Sequence, residues 1–198
     1  NVFIVDGDTL EEKNLDRQLY AASEIGQNKA TALAKRLRCG AIDQWYSPYE
    51  LEHSRFDWLM CCADNNPCRV DCLKACDMTG CKTIIAANEV HSSEAYYYDP
   101  LWIGIKHLDP RQYYPNLMTD MTGNPQSAAI GCTGEAQLEN RQLVTANFMA
   151  AALASHLYVV WGMEKKKLKL ETQASLPHRL NQNLTRNTYV LRGKETNE

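Results

Sequence analysis

The stretch IVDGDTLEEKNLDRQ, residues 4–18, decides the fold class. A short apolar run, residues 2–5, stops abruptly at Asp6 and Asp8, which a single glycine separates. The run is rich in β-branched residues and does not alternate with polar ones, which predicts a strand buried on both faces. Asp6 and Asp8 therefore come directly after the end of a predicted buried strand.

Strands and helices alternate through the first half of the chain. Apolar runs and helical spacings predict, in order, strand 2–5, helix 26–37, strand 41–46, strand 56–62, helix 68–78 and strand 82–88. Gly40 and Gly80 are expected to end the two helices. This order predicts a Rossmann-like α/β fold with a mostly parallel central sheet and helices on both faces. Ligands of such sheets bind outside the carboxyl ends of the strands, so Asp6, Asp8 and Asp64 are expected at one sheet edge.

The second half of the chain is less regular. Residues 94–98 predict an exposed or antiparallel strand, and residues 99–131, rich in Pro, Gly, Asn and Tyr, predict a long loop. A helix is expected over residues 133–157, and residues 168–174 and 188–192 predict a closing β pair. We expect one domain over residues 1–198, with an antiparallel extension of the sheet.

Composition excludes some classes of function. The chain has 198 residues and a net charge of −3, which gives no general attraction to nucleic acid or anionic lipid. No stretch approaches the roughly 18 consecutive apolar residues of a membrane helix. The eight cysteines lack the C-x-x-C spacing of zinc sites, and Cys61 and Cys62 lie in an apolar run. These features favour reduced thiols and a cytoplasmic protein.

Three cysteines have a helical spacing. Cys68, Cys72 and Cys76 recur every fourth residue and so lie on one helix face. Three thiolates in such a row can hold a metal ion. The alternative is a buried stripe, because cysteine packs as a small apolar residue, and the sequence favours this second interpretation.

Polar side chains around residues 4–18 suit a nucleotide. An acid after the second strand of a nucleotide-binding unit hydrogen-bonds ribose hydroxyls, and Asp6 fits this position. Two cations and two amides follow: Asn14, Arg17, Gln18 and Lys29. Such a set suits a polyphosphate better than a hydride carrier, because phosphate charge must be neutralised. Asp64, after another strand, is a candidate Mg²⁺ ligand.

The first half of a nucleotide-binding fingerprint does not occur in the chain. No Gly-rich turn precedes Asp6, and the chain starts on what should be the second strand. We therefore expect that a strand, Gly-rich loop and helix, a unit of about 30 residues, precedes Asn1 in the native protein.

These motifs together resemble the ThiF/MoeB/HesA branch of the ubiquitin-activating-enzyme superfamily. The segment 6–18 is similar to its D-x-D…N-L-x-R-Q element, and residues 26–29 to its G-x-x-K helix start. Residues 62–65 resemble its [C/T]-x-D-N element. The resemblance covers residues 1 to 90, and is weak beyond them.

The resemblance implies an enzyme that uses ATP and Mg²⁺ to adenylate a carboxylate, usually the C-terminal glycine of a ubiquitin-like or sulfur-carrier protein. It places Asp6 on the ribose, Asp64 on Mg²⁺ and Asn65 beside the nucleotide. Members of this family usually form dimers, so a homodimer is expected.

The same resemblance assigns roles to the polar residues after Asp6. It implies phosphate contacts from Asn14, Arg17 and Lys29, of which the two cations would act in catalysis. Gln18 would support the loop, and Asp8 would shape the turn or lie near the metal.

The sequence departs from the family pattern in its cysteines. Paired C-x-x-C motifs, which hold zinc in several members, are missing, so no zinc is expected. Many members transfer the acyl group to a cysteine, and here only Cys132, in a Gly-Cys-Thr turn, is available for this step. A thiol before a helix N-terminus is a better nucleophile. The alternative is a small residue that fits a tight turn.

Two other functions stay open from the sequence. One is adenylation of a non-protein or tRNA substrate, against which the acidic net charge argues. The other is a non-catalytic partner subunit that keeps the fold.

Overall fold

The computed structural model describes residues 1–15, 18–49, 56–88, 92–120, 144–164 and 178–183. It divides into two compact units, Asn1–Glu52 and His53–Glu198. The strands and helices are, in chain order, β1 (Phe3–Val5), α1 (Lys29–Leu37), β2 (Gly40–Ile42), β3 (Trp58–Cys61), α2 (Asn66–Thr79), β4 (Lys82–Asn88), β5 (Ser92–Tyr98), α3 (Pro110–Tyr113), α4 (Val144–Tyr158) and β6 (Arg179–Asn183).

The first unit is a β–α–β arrangement. β1 and β2 pair in parallel, with Ile4 opposite Ala41, and α1 connects them. The first helix does not end at Gly40 as predicted, because Arg38 adopts the left-handed conformation (φ 56°) that ends it. Gly40 instead begins β2, where a Cβ atom would overlap the ring of Phe3.

β1 is more exposed than its sequence predicts. The side chain of Phe3 is 47% exposed, and the other two residues of the strand are half-buried. The prediction of a strand buried on both faces was therefore wrong for this unit by itself. A run of β-branched residues indicates a strand, but it does not show how many of its faces are covered.

The second unit contains a four-stranded sheet in the order β3-β4-β5-β6. β3 and β4 are parallel, whereas β5 and β6 extend the sheet antiparallel. The Rossmann-like α/β prediction and the antiparallel extension are confirmed. The described strands form two hydrogen-bonded sheets, one in each unit.

Helices cover both faces of the four-stranded sheet. On one face, α4 packs against β4 and β5 in a cluster that includes Ile84, Tyr97 and Leu157. On the other face, the hydroxyl of Tyr98 donates a 2.6 Å hydrogen bond to Asp77 of α2. Successive residues of a strand point to opposite faces, so Tyr97 and Tyr98 fix the two helices on opposite sides.

One helical span among the described residues is long and apolar enough to cross a membrane. It comprises Val144–Met163, has a mean hydropathy of 1.3 and is 33% buried. Length and composition alone are weak evidence, because the core helix of a soluble protein meets the same criteria. Here Ala150, Ala154 and Leu157 pack on the sheet, as a core helix does.

The structure describes residues 99–120 of the predicted long loop, 99–131, and this part contains helical turns. It begins with a 3-10 turn, Pro100–Trp102, and continues through α3. Asp99 and Asp109 start these two turns by accepting hydrogen bonds from backbone N–H groups. In both turns an aspartate caps the first turn and a proline follows it, which favours helical structure in a segment whose composition predicted a loop.

The end of the chain differs from its prediction. β6 pairs with β5 over residues 179–183, a stretch in which no strand was predicted. Its sequence, RLNQN, lacks the β-branched residues that indicate strands, and tertiary pairing overrides this low propensity. The predicted β pair at residues 168–174 and 188–192 lies outside the described residues, as do residues 133–143 of the predicted helix.

Candidate active site

The connection after β1 is fixed to the start of α1 by Asn28. The side-chain amide of Asn28 donates to the carbonyl oxygens of Asp6 (2.6 Å) and Asp8 (3.1 Å). Its Oδ1 atom accepts from the N–H group of Thr31 at 2.9 Å and so caps the helix. One side chain therefore sets both the acid turn and the first turn of the helix.

The turn itself is held by its two acids. Oδ1 of Asp6 accepts a 2.9 Å hydrogen bond from the backbone N–H of Asp8. Gly7, between them, lies against Trp45, and a Cβ atom there would be 2.8 Å from the Trp45 backbone nitrogen. Any larger residue would push the turn away from Trp45, which explains the glycine.

Lys29 and Asp8 form an ion pair at the N-terminus of α1. The Lys29 ammonium group binds Oδ2 of Asp8, and their side chains are only 12% and 30% exposed. The backbone N–H of Lys29 also donates to the Asp8 carbonyl at 2.9 Å. A cation is thus fixed beside the positive end of a helix dipole, an arrangement that favours anions.

Asn14 and Gln18 shape the following turn. Oδ1 of Asn14, a residue only 3% exposed, accepts from the N–H of Glu11 at 3.0 Å. The N–H of Gln18 donates to the Asn14 carbonyl at 2.9 Å. Oε1 of Gln18 is buried and has no hydrogen-bond partner among the described residues. A buried acceptor without a partner is unusual in native structures, where a donor or an ordered water normally satisfies it. Arg17, predicted on the phosphates, lies outside the described residues.

Asp64 and Asn65 follow β3 in the second unit. The Asp64 carboxylate is exposed and forms no ion pair with any residue that the structure describes. Oδ1 of Asn65 accepts from the N–H of Cys68 at 2.9 Å and caps α2. The shared edge for Asp6, Asp8 and Asp64 stays a prediction. Cys132 lies outside the described residues.

Two residues of the site were missed by the sequence analysis. Asn28 is the first, although an Asn directly before a helical pattern is a known cap signal. Tyr20 is the second, and its hydroxyl donates to the Lys29 carbonyl at 3.2 Å. Burial raises the pKa of Tyr20, and the charges of Asp6 and Glu24 raise it further, so the phenol stays neutral. No local pattern marks Tyr20, because its contact is tertiary.

Comparisons with known proteins bear on the family and the fold. A model described as the ThiF family matches residues 1–142. No curated protein sequence matches the chain.

Solved structures with the same fold include those of E. coli MccB. MccB with MccA-N7isoASN has a TM-score of 0.57 at 16% identity, covering 92% of this chain and 56% of that chain. MccB by itself has a TM-score of 0.55 at 16% identity, covering 92% and 55%. MccB with selenomethionine MccA has a TM-score of 0.51 at 18% identity, with the same two coverages. The chain thus spans about half the length of MccB.

Proposed function

Because the chain belongs to the ThiF family, we propose that the protein uses ATP to adenylate a carboxylate. The observation that carries this proposal is the Lys29 ammonium group, fixed by Asp8 at the first turn of α1. Asp6 follows the adjoining strand and supplies an acid for a ribose. Cation, helix N-terminus and acid together match the phosphates and sugar of a nucleotide.

Each polar side chain has a task in this proposal. Asp6 accepts hydrogen bonds from the ribose hydroxyls, and Lys29 and Arg17 neutralise the phosphates. Oδ1 of Asn14 accepts a hydrogen bond from the backbone N–H of Glu11. The amide nitrogen of Asn14 therefore donates the proposed hydrogen bond to the phosphate. Gln18 supports the loop that carries Arg17, since its backbone is tied to Asn14.

Mg²⁺ fits the acid after β3. Asp64 offers an exposed carboxylate that pairs with no cation among the described residues, and hard divalent ions prefer such oxygen ligands. The ion would supply further neutralisation of the phosphates. The neighbouring Asn65 orients this turn, because its side chain caps α2.

The reaction is an in-line displacement at the α-phosphorus. A carboxylate oxygen of the substrate forms a bond to this phosphorus, and the bond to the bridging oxygen of pyrophosphate breaks. The products are an acyl adenylate and pyrophosphate. The substrate carboxylate is already ionised at neutral pH, so the step needs no general base. Catalysis then rests on positioning and on neutralising the negative charge.

We propose that the substrate is the C-terminal glycine of a ubiquitin-like or sulfur-carrier protein. The family resemblance of the motifs in residues 6–65 supports this class, and the partner MccA in two MccB structures is consistent with a separate acceptor chain. A homodimer, a cytoplasmic location and acyl transfer to Cys132 belong to the same proposal.

Pyrophosphate exchange tests the activity. The full-length protein, ATP, Mg²⁺ and labelled pyrophosphate are incubated with an acceptor protein that ends in a free glycine. We expect label to enter ATP, since the adenylation step is reversible. The matched control is the same acceptor with an amidated C-terminus, which has no carboxylate and should give no exchange.

Other outcomes separate the alternatives. Exchange with small carboxylic acids but with no protein acceptor would keep the chemistry and overturn the proposed substrate class. Lack of exchange with every acceptor, while nucleotide still binds, would favour a non-catalytic partner subunit.

A further inference from the structure

Three cysteine sulfur atoms meet in the second unit. Cys61 ends β3, and Cys68 and Cys72 lie on successive turns of α2. Their Sγ atoms all lie within 4.8 Å of one another. Cys61 and Cys72 are buried, whereas Cys68 is half-buried and gives the cluster a path to solvent.

The cluster differs from the one that the helical spacing suggested. Cys76, the third member of that row, donates its thiol to the carbonyl of Cys81 instead. The third sulfur of the cluster comes instead from Cys61, because the end of β3 packs against α2. The ligands come from two elements, so no C-x-x-C spacing marks the site, and the expectation that no zinc binds rested on that spacing alone.

The distances suit a thiophilic metal ion. A Zn–S bond is about 2.3 Å, which places tetrahedral sulfur ligands about 3.8 Å apart. The three sulfurs therefore need to approach one another by about 1 Å at most, within the reach of small side-chain rotations. All three are free thiols, so each is available as a ligand.

The electrostatics favour a thiolate at the half-buried position. Hydrogen bonds from Cys61 and Cys72 lower the pKa of Cys68 to about 4. Cys68 also lies in the first turn of α2, where unpaired N–H groups favour negative charge. The same hydrogen bonding raises the pKa of Cys61 to about 12 and raises that of Cys72.

We propose that Cys61, Cys68 and Cys72 bind one thiophilic d¹⁰ metal ion, Zn²⁺ or Cu⁺. Binding forms three metal–sulfur bonds and releases to solvent the proton of each cysteine that is still a thiol, with no change of oxidation state. Cu⁺ is satisfied by three thiolates, whereas Zn²⁺ takes a fourth ligand from solvent on the side of Cys68. The ion ties β3 to α2 across the turn that carries Asp64 and Asn65.

Metal analysis of the full-length protein, purified under reducing conditions, tests the site. After removal of bound metal with a chelator, the protein is titrated with Zn²⁺ or with Cu⁺ against a competing indicator. We expect one ion per chain, and the relative affinities decide between the two ions. Co²⁺ should add a sulfur-to-cobalt charge-transfer absorption.

Matched variants locate the ligands. Loss of an outer-shell partner typically costs about 10–100-fold in metal affinity, and Cys68→Ser, which removes one of the three ligands themselves, is expected to cost at least as much. Cys62→Ser, which removes an exposed neighbour outside the cluster, should bind as the wild type does. Equal binding by these two variants would overturn the proposal.

A second readout needs no variant. Alkylation of the wild-type protein is followed by peptide mass spectrometry with and without Zn²⁺. The ion should slow alkylation of Cys68 at least tenfold and leave Cys62 unchanged. Unchanged alkylation of Cys68 at saturating Zn²⁺ and Cu⁺ would contradict the site. None of these readouts depends on adenylation, so a failure here leaves the proposed activity untouched.

Discussion

Replacement of Lys29 by alanine is expected to lower ATP–pyrophosphate exchange a hundredfold or more. The ammonium group is fixed by Asp8 at the N-terminus of α1. In the proposed reaction it neutralises phosphate charge as the displacement proceeds. Loss of one such preorganised donor typically costs about 3 kcal/mol of transition-state stabilisation. Arg17→Ala is expected to have an effect of the same size. The measurement is the initial exchange rate at saturating ATP and acceptor.

Two control variants separate this effect from a change in folding. Lys35→Ala removes an exposed cation from the same helix and should leave the exchange rate within a few-fold of wild type. Asp8→Asn keeps the Lys29 ammonium group but removes the carboxylate that holds it in place, so we expect a smaller decrease in the exchange rate. If both Lys29→Ala and Arg17→Ala exchange at the wild-type rate, the assignment of the phosphate contacts is wrong.

Replacement of Arg111 by methionine is expected to lower the free energy of unfolding by about 3–5 kcal/mol, the usual cost of removing one partner of a buried ion pair. Arg111 donates to Asp77 at 2.6 Å, to Asp109 at 2.8 Å and to the Tyr98 hydroxyl at 2.6 Å. Asp109 is 1% exposed and would lose its charged hydrogen-bond partner. The network ties α3, and with it residues 99–113, to α2 and β5.

Urea denaturation followed by tryptophan fluorescence measures this loss, because three tryptophans, Trp58, Trp102 and Trp161, lie in the second unit. Lys74→Met is the control, since it breaks an exposed pair with Asp71. Such a pair contributes about 0–1 kcal/mol. A loss below about 1 kcal/mol in Arg111→Met would show that the buried network does not stabilise the unit.

The sequence was most informative where short-range patterns decide the structure. Apolar runs that stop at Asp6 and Asp64 located β1 and β3, and the helical spacing within residues 26–37 located α1. Gly80 ends α2 in the left-handed conformation (φ 76°), as a glycine after a helix should. These features depend on a few neighbouring residues, and so a sequence can show them.

Contacts between distant residues explain what the sequence could not show. The pairing of Lys29 with Asp8 and the contact of Tyr20 with Lys29 join separate parts of the first unit. β6 forms only because β5 offers an edge, and Cys61 joins Cys68 and Cys72 only through packing of β3 on α2. In each case tertiary contact, and not local propensity, determines the arrangement.

Transfer of oxygen from the acceptor to AMP tests the central claim, adenylation of a carboxylate, most directly. An acceptor whose C-terminal carboxylate carries ¹⁸O is incubated with ATP, Mg²⁺ and the full-length protein, and hydroxylamine then cleaves the acyl adenylate at its carbonyl carbon. The oxygen that attacked the α-phosphorus stays with AMP, so mass spectrometry should find ¹⁸O in AMP and none in pyrophosphate. Unlabelled AMP, or label in inorganic phosphate formed together with ADP, would contradict the account.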